Sequence, residues 1–134
     1  MDFRVLGWIS IVLAVIASSP YWLRKLNSWT FKTKDKRFIK LLKVLRPVHK
    51  VAGIALALIA LYHGWLALGG QIKLHTGLLV YLSFLLTAAL GAVHFFKKDK
   101  RAFKGHKVMA LASFAFFLLH MISPWALGQW FGIW

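Results

Sequence analysis

Residues 49–63 read HKVAGIALALIALYH, an apolar run closed at both ends by histidine. Residues 106–120 read HKVMALASFAFFLLH, with the same outline and the same spacing. Fourteen residues advance a helix by about 21 Å and bring it to within about 40° of four full turns. On a helix, His49 and His63 therefore share one face at two depths, and His106 and His120 do the same.

The rest of the chain matches these two runs in character. Of its 134 residues 60% are hydrophobic, glutamate is absent, and Asp2, Asp35 and Asp99 are its only acids. That is a membrane composition. Four runs reach the roughly 20 apolar residues that span a hydrocarbon core: Val5–Leu23, Pro47–Leu68, Leu74–Phe96 and His106–Leu127. The "ASSP" that ends the first run is a poor cleavage site, so this run reads as a retained helix rather than a signal peptide. The expected fold is all-α, an integral membrane four-helix bundle forming a single domain over residues 1–134, with the lipid bilayer as its solvent.

The net charge of +15 sits mostly between the spans: ten Lys or Arg from Arg24 to Lys50 and six from Lys97 to Lys107, against only Arg4 and Lys73 elsewhere. Charge placed this way is a topology signal and not a nucleic-acid surface, and no nucleic-acid-binding motif is present. It predicts basic cytoplasmic loops at 24–46 and 97–105, both termini on the non-cytoplasmic side, and a multi-pass protein of the cell (inner) membrane. Trp65, Trp125, Trp130 and Trp134 fit an outer aromatic belt, and Trp22 and Trp29 an inner one. The alternating "RFIKLLKVLR" of Arg37–Arg46 reads as an interfacial segment leading into the second helix.

The histidines carry the chemistry. With no cysteine in the chain, disulfides, thiolate clusters and Cys-based zinc sites are excluded. Helices two and four run in the same direction, since one crossing separates them. His49 and His106 should then lie at one depth toward the cytoplasm, and His63 and His120 at a second depth toward the outside. Neutral imidazole is a good axial ligand for haem iron, and bundles build cofactor sites from facing helices. Gly53, one turn beyond His49, and the small Ala60 and Ala110 leave room for a flat macrocycle, with Phe114, Phe116 and Phe117 as packing partners. His75 and His94, nineteen apart in sequence, fall about 100° apart around the third helix and form no third pair. Each remains a candidate for a propionate contact, a quinol proton or a substitute ligand. Arg46, Lys50, Lys104 and Lys107 on the inner side, and Lys73 and Gln71 on the outer, are cationic or polar candidates for haem propionates. Ser83 and Thr87 are expected to bond their own helix or to mediate helix packing.

These two spaced pairs resemble the haem-binding four-helix core of respiratory cytochrome b and the membrane domain of the ferric-reductase-like and NADPH-oxidase families. The resemblance covers roughly Arg46 to Trp125. It implies two b-type haems, with His49 and His106 ligating the inner iron and His63 and His120 the outer one. The flavin and nicotinamide module of the reductases and the extra quinone-site helices of respiratory cytochrome b have no counterpart here. The implied function is an electron relay, as the membrane subunit of an oxidoreductase complex or in exchange with the quinone pool, with possible direct reduction of a small oxidant. The cationic inner surface fits a redox partner subunit with an acidic face. The alternative class is a non-haem membrane subunit or a histidine-based metal-ion transporter; such metal sites usually gather carboxylates, Met or Cys close together.

Overall fold

The computed structural model describes residues 2–132 and is helical almost throughout. Helix α1 runs Phe3–Leu26 and continues into a π-helical turn at Asn27–Phe31. Helix α2 is Lys36–Ala67, α3 is Thr76–Lys97, α4 is Lys100–Ile122 and the short α5 is Ala126–Phe131. Among the described residues, the four long helices are long and apolar enough to cross a membrane. Trp134, counted above in the outer aromatic belt, lies outside the described residues. The chain divides into two compact units, Met1–His63 and Gly64–Trp134.

The three acids explain where three helices begin. The Asp2 carboxylate accepts the Arg4 backbone N–H at 3.0 Å, Asp35 that of Arg37 at 2.9 Å, and Asp99 that of Arg101 at 2.7 Å. Each is the same device, an aspartate before the first turn that satisfies one of the helix's unpaired N–H groups and favours its positive end. Helix α3 has no aspartate there. His75 does the work instead, its Nδ1 accepting the Leu78 N–H at 3.0 Å.

Helices α1, α2 and α4 begin before their apolar runs, whereas α3 begins two residues inside its run, at Thr76. Only residues 32–35 of the expected 24–46 loop are non-helical, so "RFIKLLKVLR" is the first part of α2 itself. Pro47 lies inside that helix, where its ring costs one backbone hydrogen bond. The 97–105 segment reduces to a turn at Lys98 and Asp99, with Lys98 left-handed at φ 55°. At the other end α4 stops at Ile122 rather than Leu127, because Pro124 forces the residue before it out of helical geometry. Ser123 sits at φ −145°, ψ 86°.

Between α2 and α3, Gly70 N–H returns to Trp65 O at 2.9 Å and Gly69 N–H to Leu66 O at 3.2 Å. This is a Schellman closure, and both glycines have positive φ, +59° and +77°. Within the second unit α3 and α4 form a tight hairpin. Their contact is small and polar: Thr87 and Ser83 are buried, and the Thr87 and Ser113 hydroxyls meet at 3.3 Å. Ser83 and Thr87 also bond their own helix, at Val80 O and Ser83 O. Large apolar side chains such as Val51, Ile54 and Leu58 point outward, as expected of helices solvated by lipid tails.

Removing a cap tests this account of the helix starts. Asp99→Ala should lower stability by about 1 kcal/mol, and Asp99→Asn by much less. Thermal unfolding in detergent reads the difference; equal effects of the two changes would reject the cap.

Candidate functional site

Each of the four paired histidines is held at the same ring atom. In the first unit, His49 Nδ1 lies 2.5 Å from Ala17 O and His63 Nδ1 lies 2.7 Å from Phe3 O. In the second unit, His106 Nδ1 lies 2.8 Å from Thr87 O, and His120 Nδ1 lies 3.0 Å from the Thr76 hydroxyl. A carbonyl oxygen only accepts, so in the first three the proton sits on Nδ1. Thr76 donates its own proton to Pro124 O at 2.8 Å, so its oxygen accepts from His120 as well. In the neutral imidazole this leaves the lone pair on Nε2 in all four. An Nδ1–H fixed by a backbone carbonyl or hydroxyl, with Nε2 as the donor atom, is the usual arrangement of a metal-ligating histidine.

Local sequence opens these acceptors. A helical carbonyl at position i is normally overhung by the side chain at i+4, because Cβ points back toward the N-terminus. Residue i+4 from Phe3 is Gly7, and residue i+4 from Thr87 is Gly91. A Cβ at Gly7 would lie 3.2 Å from His63 Cε1, and one at Gly91 would lie 3.0 Å from His106 Nδ1. At the third site Pro20 acts differently. It has no N–H to give Ile16 O, which takes the Ser19 hydroxyl at 2.7 Å, and the next carbonyl, Ala17 O, receives His49. At the fourth, a Cβ on Gly77 would lie 3.0 Å from His120 Cε1. The register of α1 follows α2: Phe3 and Ala17 are fourteen residues apart, like the histidines they hold.

The other two histidines act at helix ends, His94 with the same Nδ1–H donation as the four and His75 with the reverse. His75 caps α3 through Nδ1 as an acceptor, the reverse of the four. Its ring is 6.1 Å from that of His120 and edge-on to Trp125 at 5.8 Å. His94 donates from Nδ1 to Asp99 O at 2.9 Å and stacks on Phe103 at 4.6 Å, which ties the α3–α4 turn. No Cβ contact exists within 4 Å of Gly53, so its face of α2 is open. Ala60 is half-buried, whereas Ala110 and Phe114 are exposed. Phe114 and Phe117 lie 6.5 Å apart, and Phe116 is half-buried. Arg46, Lys50, Lys104 and Gln71 are exposed and Lys73 half-buried. Lys107 Nζ sits 4.9 Å over the Phe103 ring.

Among the described residues, no three or more His, Asp, Glu or Cys side chains converge as a metal-ion centre would require. An axial haem site asks less of the protein, one imidazole from each side of the ring. A neutral imidazole with its lone pair on Nε2 is the kind of donor that such a site uses. Sequence reading found the four imidazoles but missed Gly7, Gly77, Gly91, Pro20, Ala17 and Thr76 as their supports. The only signal was a glycine or proline inside an otherwise apolar helix.

Comparison with known protein families, curated proteins and solved structures finds no match.

Gly91→Ala should push the His106 ring off Thr87 O and cost about 1–3 kcal/mol, the range for overpacking a close contact. Gly53→Ala, with open space around it, should be neutral or slightly stabilising to the haem-free chain. Thermal unfolding of the two variants side by side checks the contrast, and equal costs would contradict it.

Proposed function

We propose that the chain is a small dihaem membrane cytochrome b. It would relay electrons as the membrane subunit of an oxidoreductase complex or in exchange with the quinone pool. The observation that carries this reading is the shared state of His49, His63, His106 and His120: each gives its Nδ1 proton to an acceptor on a neighbouring helix and keeps its lone pair on Nε2. A helix-bridging histidine has no need of the same tautomer four times. A ligand does, because both the donor atom and the ring plane must be set before iron arrives.

In this reading His49 and His106 serve one haem b and His63 and His120 the other, paired by their equal spacing along α2 and α4. Bound haem would supply reversible one-electron chemistry, the iron alternating between ferric and ferrous. The chain's own part is to orient the imidazoles through Phe3, Ala17, Thr76 and Thr87, and to exclude water with a surround of apolar side chains. Gly53 leaves its face of α2 open to a flat group. Arg46, Lys50 and Lys73 offer positive charge for propionates. In exchange with the quinone pool, the net reaction would be oxidation of a quinol to quinone, with two electrons passed on singly and two protons released, or the reverse. In this reading the cationic loops lie on the cytoplasmic side of a multi-pass inner-membrane protein, where they would suit a partner with an acidic face.

The test is a reduced-minus-oxidised spectrum of the purified chain, with haem counted by pyridine haemochrome. Two low-spin haems per chain are expected. His63→Ala or His120→Ala should remove one and spare much of the other, and Gly53→Ala should lower haem content without destabilising the haem-free chain. A colourless protein from cells able to supply haem would leave the non-haem or metal-transport alternative.

A further inference from the structure

His120 stands apart from the other three histidines. They lean on backbone carbonyls, which no substitution removes. His120 leans on a side chain. Thr76 is 0% exposed, and its hydroxyl stands at the centre of a small polar knot. It accepts from His120 Nδ1 at 3.0 Å, donates to Pro124 O at 2.8 Å and lies 3.4 Å from Ser123 O. The Thr76 backbone N–H reaches the same Pro124 O at 3.2 Å.

The break after α4 makes this possible. Pro124 ends α4 at Ile122, so the Pro124 carbonyl lies outside the α4 ladder and takes both donors of Thr76. A hydroxyl that donates becomes a better acceptor, since hydrogen bonds in a chain polarise one another. The relay runs from His120 Nδ1–H through Thr76 Oγ1 to Pro124 O. Beside it, Gly77 leaves the room that the rings of His75 and His120 occupy; a Cβ there would stand 2.8 Å from His75 Cε1.

We infer that Thr76 is the positioning residue for His120, setting its tautomer, ring plane and donor strength, and that the haem bound by His120 is thereby tuned independently of the other. The inference rests on the haem reading above. Donation from Nδ1–H gives the imidazole partial imidazolate character, which favours ferric iron. Losing the acceptor weakens the ligand and raises the reduction potential of that haem alone.

An optically followed redox titration of wild type, Thr76→Ser and Thr76→Val tests this. Thr76→Ser keeps the hydroxyl and should overlay wild type. Thr76→Val should move one of the two potentials upward by about tenfold in the one-electron equilibrium, about 59 mV. It should also weaken retention of that haem by about 10–100-fold. If Thr76→Val does not fold, Thr76→Cys, a near-isosteric change with only a weak acceptor, takes its place and should shift the same haem. Unchanged potentials, an equal shift in Thr76→Ser, or both haems moving together would overturn the assignment. A wild type that binds two haems with an unresponsive Thr76 defeats this inference alone; a wild type that takes up no haem defeats the haem reading and this inference with it.

Discussion

An imidazole on a membrane-spanning helix has one N–H to place, and in hydrocarbon leaving it without an acceptor would cost several kcal/mol. That constraint is met four times here, by Ala17 O, Phe3 O, Thr87 O and the Thr76 hydroxyl. Helices α1 and α3 carry every one of these acceptors, and α2 and α4 carry every one of the histidines. The division gives α1 and α3 a chemical purpose beyond filling the membrane. It also explains the glycines at 7 and 91, each set one turn past an accepting carbonyl.

The scarcity of acids follows the same economy. An unpaired carboxylate within a membrane is expensive, and this chain places none in the apolar part of its spans. Asp2, Asp35 and Asp99 all stand at helix starts, each bonded to the N–H of an arginine two residues on. The one long helix without an aspartate is capped by His75. That assignment removes His75 from the pool of equivalent histidines more firmly than its position in the sequence does, because a cap needs Nδ1 to be an acceptor.

Much of the architecture was legible in advance because membrane spans obey one strong rule, length and apolarity together. The four long helices followed from it. The helix ends did not. Apolarity marks where lipid begins, whereas a helix ends where hydrogen bonding or proline ends it, so α2 reaches back to Lys36 and α4 halts before Pro124. The supports of the histidines were also hidden. A backbone carbonyl has no letter in the sequence, and Gly7 or Gly91 looks like any small residue until a partner helix is packed against it. Thr76 was hidden for another reason: its role depends on the carbonyl of Pro124, forty-eight residues away.

The central claim is that four histidines are preset as Nδ1–H tautomers while His75 is the opposite. Ring-nitrogen NMR of the haem-free chain, labelled with 15N-histidine and assigned by single substitutions, measures this directly. The account predicts Nδ1 protonated and Nε2 unprotonated at His49, His63, His106 and His120, and the reverse at His75. A protonated Nε2 with a bare Nδ1 at any of the four would contradict it.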